Sequence, residues 1–355
     1  MKDNGENQSR NESAEHLTAK RMTEKWLQRY GFVPEIEAAV PGTCRRADIA
    51  VQIGKRMQAI EFQRSAIAPE LFHTRTTDYL RAGYNPIWIG LKPPGVPKSA
   101  VQLISFEQLD SLCVSFKPLP HALYLDVKRM KWVFISAFLF IQPRKILIRR
   151  TDHSFEISPD ILFTRTGRLL PERIDIDTCQ SFLQIWKRET YLKRTQKYLR
   201  ITPAERTVLS ELQKFQLNLN CFPALCNIPL LTQYTMRTAP HLWQTWFVLT
   251  VLNRTPVGTA LTLRQLSYKI ERSLPDLGFT VSANNVHPRD RLRPLLREYL
   301  DVLCEFGALQ RHFNGVYKVI HHVTVKKAMT TLLDDDAYVL NRSESRFKQY
   351  AKANA

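Results

Sequence analysis

Residues 45–65 read RRADIAVQIGKRMQAIEFQRS, two strand-like runs on either side of Gly54-Lys55. A Gly-X pair between two such runs fits a two-residue hairpin turn. That turn fixes the register, setting Ile53 against Arg56 and, further along the hairpin, Asp48 against Glu61. Paired positions in an antiparallel hairpin hold their Cβ atoms about 4.5–5.5 Å apart on one face. Gln63 shares the face of Glu61, because the strand period is two. Ile49, Val51, Ile53, Ile60 and Phe62 fall on the other face, which is apolar and suited to packing against a helix. Two carboxylates so close repel each other unless a cation bridges them or one keeps its proton. Mg²⁺ or Mn²⁺ is the natural bridge, since Mg²⁺ is held by one or two carboxylates together with water and phosphate oxygens. The bland alternative is an exposed hairpin whose acids face solvent.

The flanking sequence extends this hairpin into a larger unit. Upstream, Ala19, Met22, Thr23, Trp26, Leu27 and Tyr30 recur at helical spacing, with Ser13 as N-cap and Gly31 as terminator. Glu15 sits at the edge of that helix's apolar face, either as a partner for the helix N-terminus or as a member of an active site. A strand over residues 35–40 follows, with Glu35 and Glu37 on one face; Glu37 is a candidate further metal ligand. Downstream, a helix starts at Pro69 and ends at Gly83. Arg75 and Tyr79 are neighbours one turn apart on it. They suit a phosphate, as fork donor and hydroxyl, or serve equally as a plain surface residue and a plain core residue. Residues 86–90 make a short apolar strand. Helix, three strands, helix, strand is a compact α/β order.

Charge and composition narrow the partners. Lys and Arg number 51 against 33 Asp and Glu, a net charge of +18. Such an excess attracts polyanions, nucleic acid or an anionic membrane. A membrane helix needs about 20 apolar residues, and the longest apolar run, residues 132–141, is about half that. Residues 1–12 lack a signal-peptide core and read as a disordered tail. The six cysteines form no C-x-x-C pair, which reads as scattered reduced thiols in a cytoplasmic protein. These observations favour nucleic acid over a membrane surface.

The expected organisation is an α/β domain over residues 13–115, a connecting β-rich region over 116–180, and a basic, mainly helical domain over 181–355. The last part carries 25 Lys and Arg against 13 Asp and Glu, and so +12 of the +18. Within it, residues 287–320 read as a helix, Gly307, a strand, an Asn314-Gly315 turn and a strand. A helix running into such a hairpin resembles a winged helix, and residues 261–272 are the candidate preceding helix. Arg289, Arg291, Arg293 and Arg297 crowd one end, positioned either to meet phosphates or to form a solvated basic face.

Four segments, SAEHLTAK at 13–20, RRADIAV at 45–51, AIEFQRSAI at 59–67 and RTTDYLRAGYNPIWIG at 75–90, resemble the competence protein CoiA family in order and spacing. The resemblance covers about residues 13–90. It implies a PD-(D/E)XK nuclease-like fold, a mixed central sheet flanked by helices. In that pattern Asp48 matches the first acid, Glu61 the second and Glu15 the acid of the leading helix. Gln63 stands where PD-(D/E)XK enzymes carry Lys, as in the family's own E-F-Q pattern. The segment of CPxC and HFAH-type ligands that opens many CoiA-like proteins is not present in this sequence. The implied role is handling of incoming DNA, single-stranded during transformation, together with recombination proteins. Two functions are therefore in view: a Mg²⁺-dependent DNA nuclease using Glu15, Asp48, Glu61 and Gln63, or a non-catalytic DNA-binding recombination accessory that keeps the fold.

Overall fold

In the computed structural model, which describes residues 13–95, 100–115, 120–169, 175–281 and 292–352, the leading helix α1 runs Ala14–Arg29. The Ser13 hydroxyl accepts from the His16 N–H at 3.3 Å, the N-cap its position predicts. The tail at residues 1–12 lies outside the described residues. After α1 come β1 (Glu35–Ala39), β2 (Arg46–Ile53), β3 (Arg56–Gln63), α2 (Pro69–Arg81) and β4 (Tyr84–Gly90). The β2–β3 hairpin has the predicted register, with Ile53 opposite Arg56 and Ile49 opposite Ile60. β1 lies antiparallel on the other side of β2, and β4 runs parallel to β3.

The chain continues through β5 (Val101–Ser105), α3 (Gln108–Cys113), β6 (Val114–Ser115), β7 (His121–Asp126), β8 (Lys131–Gln142), β9 (Lys145–His153) and α4 (Pro159–Phe163). The sheet order is β1-β2-β3-β4-β7-β8-β9-β5, with β6 on β7. Residues 116–180, read from sequence as a connecting region, thus supply three strands of the same sheet. Their entry point is β7, which runs parallel to β4 at Ile89–Leu123 and Gly90–Tyr124. Pro86 is tolerated in β4 because it pairs on one side with Ala59 of β3, while the recorded β7 pairing begins at Ile89. Gly90 is demanded by packing: a Cβ there would lie 2.3 Å from the buried ring of Tyr124.

By contacts the chain divides into two units, residues 1–137 with 148–171, and residues 138–147 with 172–355. The core of the first lies under α1. Ala19, Trp26 and Leu27 pack on Ile49, Val51, Ile53, Ile60 and Phe62, the apolar face expected of the hairpin. Trp26 anchors it, tilted against Trp132 at 4.9 Å with its Nε1–H donating to the Ile157 carbonyl.

The second unit is mainly helical, with α5 (Ile176–Thr195), α6 (Pro203–Gln213), α7 (Pro240–Phe247) and a π-turn over Val248–Leu252. It continues with β10 (Ala260–Thr262), α8 (Leu263–Leu277), α9 (Arg293–Glu305), β11 (Leu309–His312), β12 (Val316–Val319) and α10 (Met329–Lys352). The three short strands are ordered β10-β12-β11. Gly307 closes α9 in the left-handed region at φ +76°, and the turn between β11 and β12 falls at Phe313–Gly315, as the sequence predicts. α9 is the central helix: Leu295, Leu296, Tyr299, Leu300 and Leu303 are all buried. No described helix is long and apolar enough to cross a membrane.

Candidate active site

Asp48 and Glu61 meet where the β2–β3 ladder ends. Recorded pairing stops at Ile49–Ile60, one residue short of them. The next donor on β3, the Phe62 N–H, is taken by the Asp48 carboxylate at 2.8 Å. Alternation along β2 also breaks here. Ala47 should share the α1 face with Ile49, yet it packs with Val40, Ala59 and Tyr79. On the neighbouring strand, Glu37 adopts φ +52°, a strained value for a residue with a side chain. The simple cross-strand facing expected from the turn is thus replaced by a local irregularity. It leaves the two acids close enough for Asp48 to act on the charge of Glu61.

Glu61 is 1% exposed. Arg75 Nη2 lies 2.8 and 2.7 Å from its two carboxylate oxygens, and the Tyr79 hydroxyl donates to Oε1. Burial, and after it the nearby Asp48 charge, pushes the Glu61 carboxyl up to about 8, although Arg75 and Tyr79 pull the other way. Burial and Glu61 likewise hold the Tyr79 hydroxyl above the ordinary phenol range. The Arg75 guanidinium also lies over the Trp88 ring, 5.6 Å from its centroid. Arg75 and Tyr79, candidates for phosphate contact, are therefore engaged with the carboxylate itself. A helix pair one turn apart was legible in the sequence; its partner across the sheet was not.

The remaining candidates take separate places. Glu15, in the first turn of α1, pairs with Arg64 at 3.1 Å, just past Gln63. Gln63 ends β3 and is half-buried. Glu37 lies across β1 from Asp48 by register but is nearly half exposed and pairs with Lys20. Among the described residues, no three of His, Cys, Asp and Glu stand together as a metal-binding group. Arg293 opens α9 and is half-buried, and Arg297 is exposed one turn on. Arg289 and Arg291 lie outside the described residues.

Two site residues were not singled out from sequence. His16 Nε2 is 3.0 Å from Asp48 Oδ2, and Lys20, 3% exposed, reaches Glu37. They stand one helical turn apart on α1, so one face of the helix presents both to the ends of β1 and β2. The available signal was that spacing, together with a lysine inside an otherwise apolar helix face.

Comparison with known proteins bears on the family. Residues 12–165 match the family model described as competence protein CoiA, nuclease-like domain, and residues 186–333 match its C-terminal domain. The chain is 22% identical over 346 residues to the competence protein CoiA of Bacillus subtilis strain 168, covering 92% of this chain and 84% of that protein. No solved structure matches the chain. With both domain models matched in order and the site residues lying inside the first, the chain belongs to the competence protein CoiA family.

Proposed function

We propose that the first unit is a PD-(D/E)XK-type DNA nuclease domain, dependent on Mg²⁺ or Mn²⁺, acting on incoming DNA in the cytoplasm during transformation and recombination. The observation that carries this reading is the buried Glu61 carboxyl, set beside Asp48 at the open end of the β2–β3 ladder. The order α1-β1-β2-β3-α2-β4, with β4 parallel to β3, supports it.

The donor chemistry suits a hard divalent ion. Two carboxylates and the Gln63 amide offer oxygen donors, and burial with the neighbouring Asp48 charge raises the Glu61 carboxyl even though Arg75 reaches both of its oxygens. Asp48, Glu61 and Gln63 would hold the ion, while Glu37, paired with Lys20, stands apart from them. When bound, it lowers the pKa of a coordinated water and neutralises charge on the phosphate. The chain's own residues do the rest. The Phe62 N–H and His16 fix the Asp48 carboxylate. Arg75 and Tyr79 orient Glu61 and compensate its charge until an ion does so. Gln63 is neutral and cannot supply the electrostatic stabilisation of a lysine at that position. Arg75 is the cation already at the site, and in this reading it takes over that part.

Thermal melting tests the metal site. A ligand that binds only the folded state at 100 times its Kd adds about 2.7 kcal/mol. Millimolar Mn²⁺ should therefore raise the midpoint of the wild-type protein by several degrees and leave Asp48→Ala unmoved. A wild-type midpoint indifferent to Mn²⁺ would instead favour the accessory protein that keeps the fold without the chemistry.

A further inference from the structure

The arginines at the start of α9 sit on a helix with little free surface. Beyond Arg297, its acids Glu298 and Asp301 are engaged by neighbouring elements, and Glu305 is exposed at its end. Glu298 accepts from the N–H groups of Leu231 and Thr232, and Asp301 accepts from Arg311 and the Tyr317 hydroxyl. A helix so buried, with acids on its remaining face, is unsuited to lie in a DNA groove. The helix before it differs. α8 buries Leu263, Leu266, Ile270 and Leu274 along one side. At about 100° per residue, Arg264, Tyr268, Arg272 and Lys269 fall together on the opposite side, and all four are exposed. Tyr268 is 65% exposed. Among the described residues no carboxylate pairs with Arg264, Lys269 or Arg272. Asp276 closes the face at its C-terminal end.

The β11–β12 hairpin adjoins the N-terminal end of this helix. β12 pairs with β10, which leads directly into α8, and a Cβ on Gly315 would lie 3.6 Å from Leu263 Cβ. At the hairpin tip Phe313 is 92% exposed. Lys318 lies in the middle strand, opposite Ala260 and Gln310. Two exposed aromatic rings among unpaired cations make a stacking platform with an electrostatic track, the combination that holds unpaired bases. Burying such rings against a duplex backbone would bring no comparable return.

We infer that the outward face of α8 and the tip of the β11–β12 hairpin form a binding surface for single-stranded nucleic acid, with Tyr268 and Phe313 stacking on bases and Arg264, Lys269 and Arg272 meeting phosphates. This rests on the DNA-directed reading above and names the surface that captures the strand. On this reading β10, α8, α9 and the hairpin make a winged-helix-like arrangement in which α8 and the hairpin, in place of α9, face the ligand.

Fluorescence anisotropy of a labelled oligothymidylate with the full chain, at two or more salt concentrations, tests the inference. Arg264→Gln/Lys269→Gln/Arg272→Gln should bind at least ~10-fold more weakly at low salt and flatten the log–log salt slope by about 2, at ~0.7 per single-strand phosphate contact. Tyr268→Ala and Phe313→Ala should each weaken binding ~10-fold with the slope unchanged. The charge-conserving Arg264→Lys/Lys269→Arg/Arg272→Lys variant should bind like wild type, which separates charge loss from misfolding. Wild-type affinity in the glutamine variant overturns the surface while leaving the nuclease reading intact. A wild-type chain that binds no DNA at low salt overturns both. Binding to phosphatidylglycerol–phosphatidylcholine vesicles but not to DNA, lost in the glutamine variant, replaces the strand with a lipid surface and overturns the inference.

Discussion

Asp48→Ala and Glu61→Ala should each abolish DNA cleavage, with losses of at least ~10³-fold in initial rate. Both residues lie at one point of the sheet, and the metal-assisted reaction needs both oxygens together. The substitutions differ in their structural cost. Asp48→Ala leaves the Phe62 N–H without its acceptor, a loss of about 1–3 kcal/mol for a buried donor. Glu61→Ala takes from Arg75 its carboxylate partner and leaves the Tyr79 hydroxyl only the Arg46 carbonyl to donate to. Asp48→Asn and Glu61→Gln retain the shape and a hydrogen-bonding oxygen, so loss of cleavage in these variants at a melting midpoint no lower than that of wild type isolates the chemistry. Glu15→Ala should lower the rate much less, because Glu15 pairs with Arg64 beside the site. Rates on labelled single- and double-stranded oligonucleotides in Mn²⁺ give these values. Cleavage that survives Asp48→Asn and Glu61→Gln would place the active centre elsewhere.

Stability should fall as pH rises through the Glu61 titration. The carboxyl ordinarily titrates near 4.5 and in the fold near 8, raised first by burial and then by Asp48. Between those values the native state binds the extra proton, so raising the pH pulls the equilibrium toward the unfolded chain. The stabilising contribution is fully present below about 4.5 and lost above about 8. Each pH unit across that window is worth about 1.4 kcal/mol at most. Glu61→Gln cannot titrate and should flatten the decline, gaining a few kcal/mol on wild type between pH 5 and pH 8.5. Urea midpoints at the two pH values measure it. Parallel curves for the two proteins would mean that Glu61 is charged at both.

How far the sequence carries can be judged element by element. The β2–β3 register was legible because Gly54-Lys55 leaves one economical turn, the helix face of α1 because period and capping agree, and α2 from Pro69 and Gly83 at its ends. β7 to β9 fall in a stretch legible as β-rich but not as part of the same sheet. Parallel pairing of β4 with β7 is made across an excursion of about 30 residues, with no local residue to announce it. The break at Asp48 was hidden for a different reason. It depends on a side chain replacing a backbone acceptor, and no spacing rule predicts that exchange. The same limit applies to Arg75 and Tyr79, whose shared helix face was readable while their common partner Glu61 sits on another element. In the second unit, arginine density pointed to the start of α9, and burial of that helix shifts attention to α8, whose alternation of leucines and cations is equally plain in the sequence.

The proposed function has the Asp48–Glu61 pair perform divalent-metal-dependent phosphodiester hydrolysis. Its most direct test is a time course of labelled single-stranded DNA with purified wild-type protein, with Mn²⁺ and with chelator, beside Asp48→Asn prepared identically. Cleavage by wild type only with the metal and none by Asp48→Asn is the expected result; intact DNA in every wild-type reaction, or equal cleavage by the two proteins, would contradict the proposed function.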